Sequence, residues 1–441
     1  MAKLKITYRK VADLTLRASN PRTHSKKQLE QIAASIRRFG FTNPVLVDEQ
    51  DGIIAGHGRI GAARLIGMDE VPTVRLSDMS EADIRAYVIA DNKLAENAGW
   101  DRELLGLEFK YLEELDLDLD LTITGFERPE IDTLICDVTI SDEDEDPADA
   151  LQNLAAGPAV TAPGDIWQIG PHRLICGDST RAETYAALLG DERAQMVFTD
   201  PPYNVPIDGH VCGLGKVRHR EFAMASGEMS ADQFTAFLSE VFGQLAAFSI
   251  DGSIHFQCMD WRHMAEILAA GEQAYDELKN LCIWAKTSGG MGSLYRSQHE
   301  LVFVFKSGTA PHINNVELGK HGRYRTNVWT YPGVNTFGAN RDDLALHPTV
   351  KPVALVMDAM RDCSRRKGIV LDAFAGSGTT LVAAQRTGRR GYGIEIDPVY
   401  CDTIVKRMQN LFGLEGALEA SGQTFAEVEA QRVAEIQEAA Q

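Results

Sequence analysis

The sequence predicts an α/β fold, with a doubly wound, mostly parallel sheet in its larger, later part and a smaller α+β unit ahead of it. Three observations carry that expectation. Between residues 161 and 412, apolar runs of strand length alternate with amphipathic stretches of helical spacing. One run, IVLDAFAGSGTT, passes from Asp372 into a glycine-rich loop and then a helix near Thr379. Before them, residues 137 to 160 hold an acidic block and a Gly/Pro/Ala stretch without apolar periodicity, which cannot build a core and reads as a linker. The expected division is 1–135, a linker at 136–160, the α/β domain at 161–412 and an acidic helical tail at 413–441.

The bulk numbers agree with two or three domains. The chain has 441 residues, 44% of them hydrophobic and 24% charged. No apolar run approaches the ~20 residues a membrane span needs, and MAKLKITYRK lacks the apolar core of a signal peptide. Seven scattered cysteines, with no C-x-x-C pair, read as reduced thiols in a cytoplasmic protein, with no metal site. The net charge of -19 speaks against nucleic acid only at first sight, because the acids concentrate in DEDEDPAD (142–149) and the tail.

In the first unit, Ser25 to Gln28 resembles a capping box, followed by Leu29, Ile32, Ala33, Ile36 and Phe39 at helical spacing and Gly40 as a stop. NPVLVDEQDGIIAGHGR reads as a hairpin turning at Asp51-Gly52. It enters a glycine corner, Gly56-His57-Gly58-Arg59, that leads into a helix ending near Gly67. A helical, charged stretch continues to about Leu121.

In the larger unit the expected strands are 194–199, 253–258, 281–285, 301–305, 369–372 and 391–395, with helices at 231–248 and 379–388. In the loop after Asp372, Gly376-Ser377-Gly378 let a ligand approach the backbone, and the helix start offers unpaired N–H groups. A Walker loop would need G-K-[ST], and Thr379-Thr380 stand there instead. A dinucleotide fingerprint would need a third glycine where Leu381 stands. Glu395 ends a strand about 20 residues further on, the place of an acid that binds ribose hydroxyls in βαβ nucleotide sites. The ligand expected from these residues carries a ribose without a pyrophosphate.

A second signal is VFTDPPYNV (197–205), where an apolar run delivers an acid, two prolines and a tyrosine. The prolines end the strand and stiffen the turn.

Together these stretches resemble the amino-methylating DNA methyltransferases that use S-adenosylmethionine. Asp200-Pro201-Pro202-Tyr203 resembles their catalytic motif and Asp372 to Thr380 their cofactor loop, in the permuted order of the β class. GDIWQIGPHRLICGDST (164–180), GGMGSLYRSQHELVFVFK (289–306), RTNVWTYPGVN (325–335) and HPTVKP (347–352) are similar to further family segments. The resemblance implies a Rossmann-like methyltransferase domain over 161–412. It implies acceptors for the target amine at the Asp200 side chain and the Pro201 carbonyl, and a stacking ring at Tyr203. On the cofactor side it implies Asp372, Phe374, Gly376, Ser377, Gly378 and Thr379 around the methionine end. Glu395 falls at the ribose, Asp178 near the adenine edge, and Lys351 at the methionine carboxylate or the loop beside it.

Aspartate at the head of the motif favours adenine N6, since cytosine-N4 enzymes of this type more often carry serine. Cytosine N4 stays as the alternative. Duplex DNA is the implied partner, a homodimer the implied assembly, and Arg218, Arg220, Arg323 and Arg325 the expected DNA contacts. Residues 14–76 resemble the ParB/sulfiredoxin-like N-terminal domain through Asn20-Pro21-Arg22 and the phosphate box Gly56-His57-Gly58-Arg59. His57-Gly58 stand in place of the usual Glu-Arg pair, and the sulfiredoxin cysteine is absent. A DNA-engaging accessory domain is therefore expected, against a plain packing domain. The rival readings are a ParB-like DNA-binding protein with a non-catalytic methyltransferase half, and a methyltransferase acting on RNA or protein.

Overall fold

The protein is described by a computed structural model covering residues 4–17, 20–115, 120–139, 159–204, 227–287, 289, 294–320, 323–332 and 351–439. The chain divides into two compact units, Met1–Val138 and Thr139–Gln441.

The smaller unit contains β1 (Ile6–Lys10), α1 (Lys26–Phe39), β2 (Val45–Val47), β3 (Ile53–Ala55), α2 (His57–Leu65), β4 (Glu70–Arg75), α3 (Glu81–Glu96), α4 (Arg102–Glu114) and α5 (Arg128–Thr139). Its sheet runs β1-β4-β2-β3. Ser25 caps α1 by accepting from the Gln28 N–H, whereas the Gln28 side chain turns to His24 instead of closing the box. Gly40 ends the helix at φ 81°. The hairpin of β2 and β3 turns through Asp48, whose carboxylate takes the N–H groups of Gln50 and Gly52, with Asp51 at φ 58°. Helix α5 begins inside the expected first domain and runs across its boundary at 135 into the expected linker. It buries Ile131, Leu134 and Ile135 against Phe109 of α4.

The larger unit follows with β5 (Ile166–Ile169), β6 (His172–Cys176), α6 (Ala182–Leu189), β7 (Ala194–Thr199), α7 (Ala231–Ala247), β8 (Ser249–Met259), α8 (Met264–Ala274), β9 (Glu277–Lys286) and β10 (His299–Ser307). Then come β11 (Val328–Tyr331), α9 (Val353–Cys363), β12 (Ile369–Asp372), α10 (Thr379–Arg386), β13 (Arg390–Glu395), α11 (Pro398–Phe412), β14 (Gly416–Leu418) and α12 (Phe425–Ala439). The sheet order is β11-β9-β10-β8-β7-β12-β13-β6-β5-β14. Its centre, β8-β7-β12-β13-β6, is parallel, while β10 lies antiparallel between β8 and β9.

Alternation along the strands separates two cores, because successive side chains point to opposite faces. Met196 and Phe198 of β7 join α9, α10 and α11 on one face, whereas Val197 joins α6, α7 and α8 on the other. A sheet covered on both faces explains why its central strands read as continuous apolar runs. Among the described residues no helix is long and apolar enough to cross a membrane.

Candidate active site

Four neighbouring parallel strands, β7, β12, β13 and β6, end at one edge of the sheet, and each end carries an acid. These are Asp200 just after β7, Asp372 at the end of β12, Glu395 at the end of β13, and Asp178 two residues past β6. In open α/β sheets that edge is where ligands bind. The Gly177 N–H donates to the Glu395 carbonyl at 2.9 Å, which fixes the Asp178 turn beside β13.

The glycine loop is held from below. Asp372 Oδ1 accepts from the Thr199 hydroxyl at 2.7 Å and from the Phe374 N–H at 3.0 Å, and its Oδ2 accepts from Thr380 at 2.6 Å. Gly376 and Gly378 adopt φ of 51° and 86°, the left-handed region that glycine enters without a Cβ penalty. The Gly376 N–H donates to Glu395 Oε2 at 2.8 Å, and the Asp397 N–H donates to Oε1 at 2.9 Å. Ser377 is tied by its carbonyl to the buried Arg407 at 2.7 Å, and Thr379 opens α10. Burial pushes the Asp372 carboxyl up to about 6 and the Glu395 carboxyl up to about 7. The three acids around this loop, Asp372, Glu395 and Asp178, suit a ligand that brings hydroxyl donors and positive charge. S-adenosylmethionine is such a ligand, with a ribose, a sulfonium and an ammonium. The donor set fits it.

Beside this loop, the turn Asp200-Pro201-Pro202-Tyr203 folds back on itself. The Tyr203 hydroxyl donates to Asp200 Oδ1 at 2.6 Å, with Glu300 Oε2 at 3.2 Å as its alternate acceptor. Lys351 Nζ donates to Asp200 Oδ2 at 2.5 Å, lies 2.9 Å from Glu300 Oε2, and reaches the Tyr203 oxygen at 3.1 Å. Lys286 Nζ closes the chain on Glu300 Oε1 at 2.5 Å. Burial pushes the Asp200 carboxyl up, and the charge of Glu300 adds to that while Lys351 opposes it. Burial acts against Glu300 too, but its two lysines outweigh it and hold the group down at about 2. Lys351 is buried and stays an ammonium because Asp200 and Glu300 both face it. After the turn, Asn204 takes φ 50°, and its carboxamide bonds Gly227 and Met229.

Lys351, expected at the methionine carboxylate or the loop beside it, contacts Asp200 and Tyr203 of the turn and Glu300 of β10. Arg323 and Arg325, the expected DNA contacts, are both ion-paired. Asp358 and Asp362, one turn apart on α9, take both guanidiniums, with contacts of 2.6 to 3.2 Å. Arg218 and Arg220 lie outside the described residues. Asp178 spends Oδ1 on the Thr180 N–H and hydroxyl. In the smaller unit, Gly56 at φ 109° caps α2, followed by His57 and the buried Gly58. Arg59 Nη1 bonds the Asn43 and Pro44 carbonyls and lines a cleft of about 420 Å³ with Gln28, Phe41 and Thr124.

Sequence reasoning missed Thr199, Asn204, Lys286 and Glu300. A signal for one was present: Glu300 is an acid directly before the apolar run Leu301 to Phe305.

Comparison with known proteins places these units in families. A family model described as DNA methylase matches residues 194–406, one described as the ParB N-terminal domain matches 2–92, and one described as a ParB-methyltransferase HTH domain matches 103–163. The ParB-like nuclease domain-containing protein YnaK of Escherichia coli (strain K12) is 52% identical over 79 residues, which is 18% of this chain and 91% of YnaK. The type II methyltransferase M.ScaI of Streptomyces caespitosus is 40% identical over 90 residues, 20% of this chain and 29% of that enzyme. The type II methyltransferase M.HpaI of Haemophilus parainfluenzae is 26% identical over 255 residues, 54% of this chain and 75% of its own length. The Asp200–Tyr203 turn and the glycine loop both fall inside the methylase match, and the glycine corner at 56–59 falls inside the ParB match. The chain thus carries a ParB-type N-terminal domain ahead of a DNA methylase domain of the N6/N4 class.

Proposed function

We propose that this protein transfers the methyl group of S-adenosylmethionine to the N6 amine of an adenine flipped out of duplex DNA. The observation that carries the reading is the pairing of Asp200 and Tyr203 on one turn, anchored through Thr199 to the loop of Asp372. An exocyclic amine is a poor nucleophile because its lone pair is delocalised into the ring. Acceptors aimed at its N–H groups favour the pyramidal nitrogen that attacks. Asp200 and the Pro201 carbonyl are those acceptors, and two prolines with a Tyr203 bond limit their wandering. The Tyr203 ring offers a stacking face to a base that is unreachable inside the duplex.

When bound, S-adenosylmethionine supplies an electrophilic methyl on sulfur. The target nitrogen would take that methyl in direct exchange for the carbon–sulfur bond and shed one proton. Asp200, raised by burial, can receive that proton. The rest is positioning. Asp372, Phe374, Gly376, Ser377, Gly378 and Thr379 form the loop that would hold the methionine end, with Glu395 at the ribose and Asp178 at the adenine edge. The aspartate heading the turn supports adenine over cytosine. The ParB-type unit serves as a DNA-engaging accessory domain. The test is to incubate the full chain with labelled S-adenosylmethionine and unmethylated duplex DNA, then identify the modified base. N4-methylcytosine alone would overturn the adenine assignment.

A further inference from the structure

Glu300 is the second residue of β10 and stands opposite Trp284 of β9. Its side chain is only 12% exposed, yet it keeps a full charge between Lys286 and Lys351. Burying such a chain of charges costs desolvation, and an apolar replacement often serves stability as well or better. The retained charge therefore calls for another explanation, and the geometry supplies one. An ammonium has three N–H donors. Lys351 aims them at Asp200, Glu300 and Tyr203 and has none to spare. Its nitrogen also sits 5.4 Å from the Tyr203 ring centroid and 5.8 Å from that of Trp284. Glu300 thus touches the two groups that would meet the base: Tyr203 directly, and Asp200 through Lys351. Both Asp200 oxygens already accept one hydrogen bond, and each retains a lone pair for an incoming amine.

We propose that Glu300 is a positioning residue for methyl transfer, setting the Tyr203 ring and, through Lys351, the Asp200 carboxylate in the arrangement that the target amine meets. This rests on the methyltransferase reading above. The ionisable groups around Asp200 are Tyr203 on its own turn, Lys351, Glu300 of β10, Cys258 of β8 and Asp372 of β12, with Lys286 of β9 behind Glu300. Removing the charge of Glu300 leaves Asp200 facing Lys351 alone, so Asp200 ionises at lower pH.

The experiment compares the full-length wild type with E300Q and E300D in methylation of unmethylated duplex DNA, across pH, alongside direct binding of S-adenosylmethionine. E300Q is expected to lower kcat by about tenfold or more. It is also expected to shift the acid limb of the kcat profile to lower pH, with cofactor binding within about twofold of wild type. E300D restores the charge and brings back the wild-type acid limb, though not full kcat. A purely structural role would not move the pH limb. If E300Q does not fold, E300D alone carries the test through reduced kcat at unchanged cofactor affinity. Wild-type kcat or an unmoved pH limb in folded E300Q, or wild-type kcat in E300D where E300Q does not fold, overturns the proposal. Absence of DNA methylation by the wild type instead overturns the methyltransferase reading, and this proposal with it.

Discussion

The Thr199 hydroxyl donates to Asp372 Oδ1 at 2.7 Å and accepts from the Ala373 N–H at 3.2 Å, locking the last residue of β7 to the end of β12. Residues 173 positions apart thereby hold the Asp200–Tyr203 turn and the glycine loop at one spacing. A displacement of ~1 Å between acceptor and methyl donor is enough to cost ~10²-fold in rate.

Thr199→Val tests this tie. It keeps the side chain's shape and removes one donor and one acceptor, leaving Asp372 with an unmet lone pair. The expected stability loss is about 1–3 kcal/mol by denaturant titration. The fall in kcat should exceed what that loss explains at temperatures where the variant is fully folded. Unchanged kcat would show that the spacing is held elsewhere.

Tyr203 has two separable parts. Tyr203→Phe keeps the ring and loses the bond to Asp200, and it should lower kcat by roughly tenfold. Tyr203→Ala also loses the stacking face and should weaken flipping, read as reduced fluorescence gain from 2-aminopurine at the target position. Equal behaviour of the two variants would remove the ring from the account.

Glu395 predicts a pH dependence of stability. Its carboxyl is raised from its ordinary 4.5 to about 7 by burial, so the folded protein keeps a proton that the unfolded chain has lost. The native state then binds more protons through that window, and stability falls as pH rises from about 4.5 to 7. The contribution is on the order of 3 kcal/mol. Glu395→Gln should flatten that slope in denaturation curves taken between those pH values; a slope equal to wild type would contradict it.

Arg323 should matter to folding before it matters to DNA. Arg323→Met leaves Asp362 buried beside one guanidinium fewer, which is expected to cost about 3–5 kcal/mol. DNA affinity of the folded variant, measured by filter binding, should stay near wild type. A selective loss of DNA binding would restore Arg323 as a contact.

These cases also mark what the sequence made legible. Strands β7, β12 and β13 were readable because both faces of the central sheet are covered, leaving apolar runs bounded by Asp200, Asp372 and the end at Glu395. In the tail, Thr424 and Glu427, three residues apart, close a capping box with both bonds present. The Lys351–Glu300–Lys286 chain was not, since its members come from separate strands and a loop that only the sheet order joins. Arg323 and Arg325 looked like surface cations for the same reason: their acids lie 33 to 39 residues away on one face of α9. Helix α5 was overlooked because its apolar face is short and runs into the acidic stretch.

The measurement that bears most directly on the central claim is methyl transfer by wild type and Asp200→Ala, using labelled S-adenosylmethionine and unmethylated genomic DNA with base-resolved mapping. The wild type is expected to leave N6-methyladenine at a recurring sequence. For Asp200→Ala the expected outcome is a loss of at least about 10²-fold in rate, with cofactor binding retained. Full activity in Asp200→Ala, or label found in RNA or protein and none in DNA, would contradict the central claim.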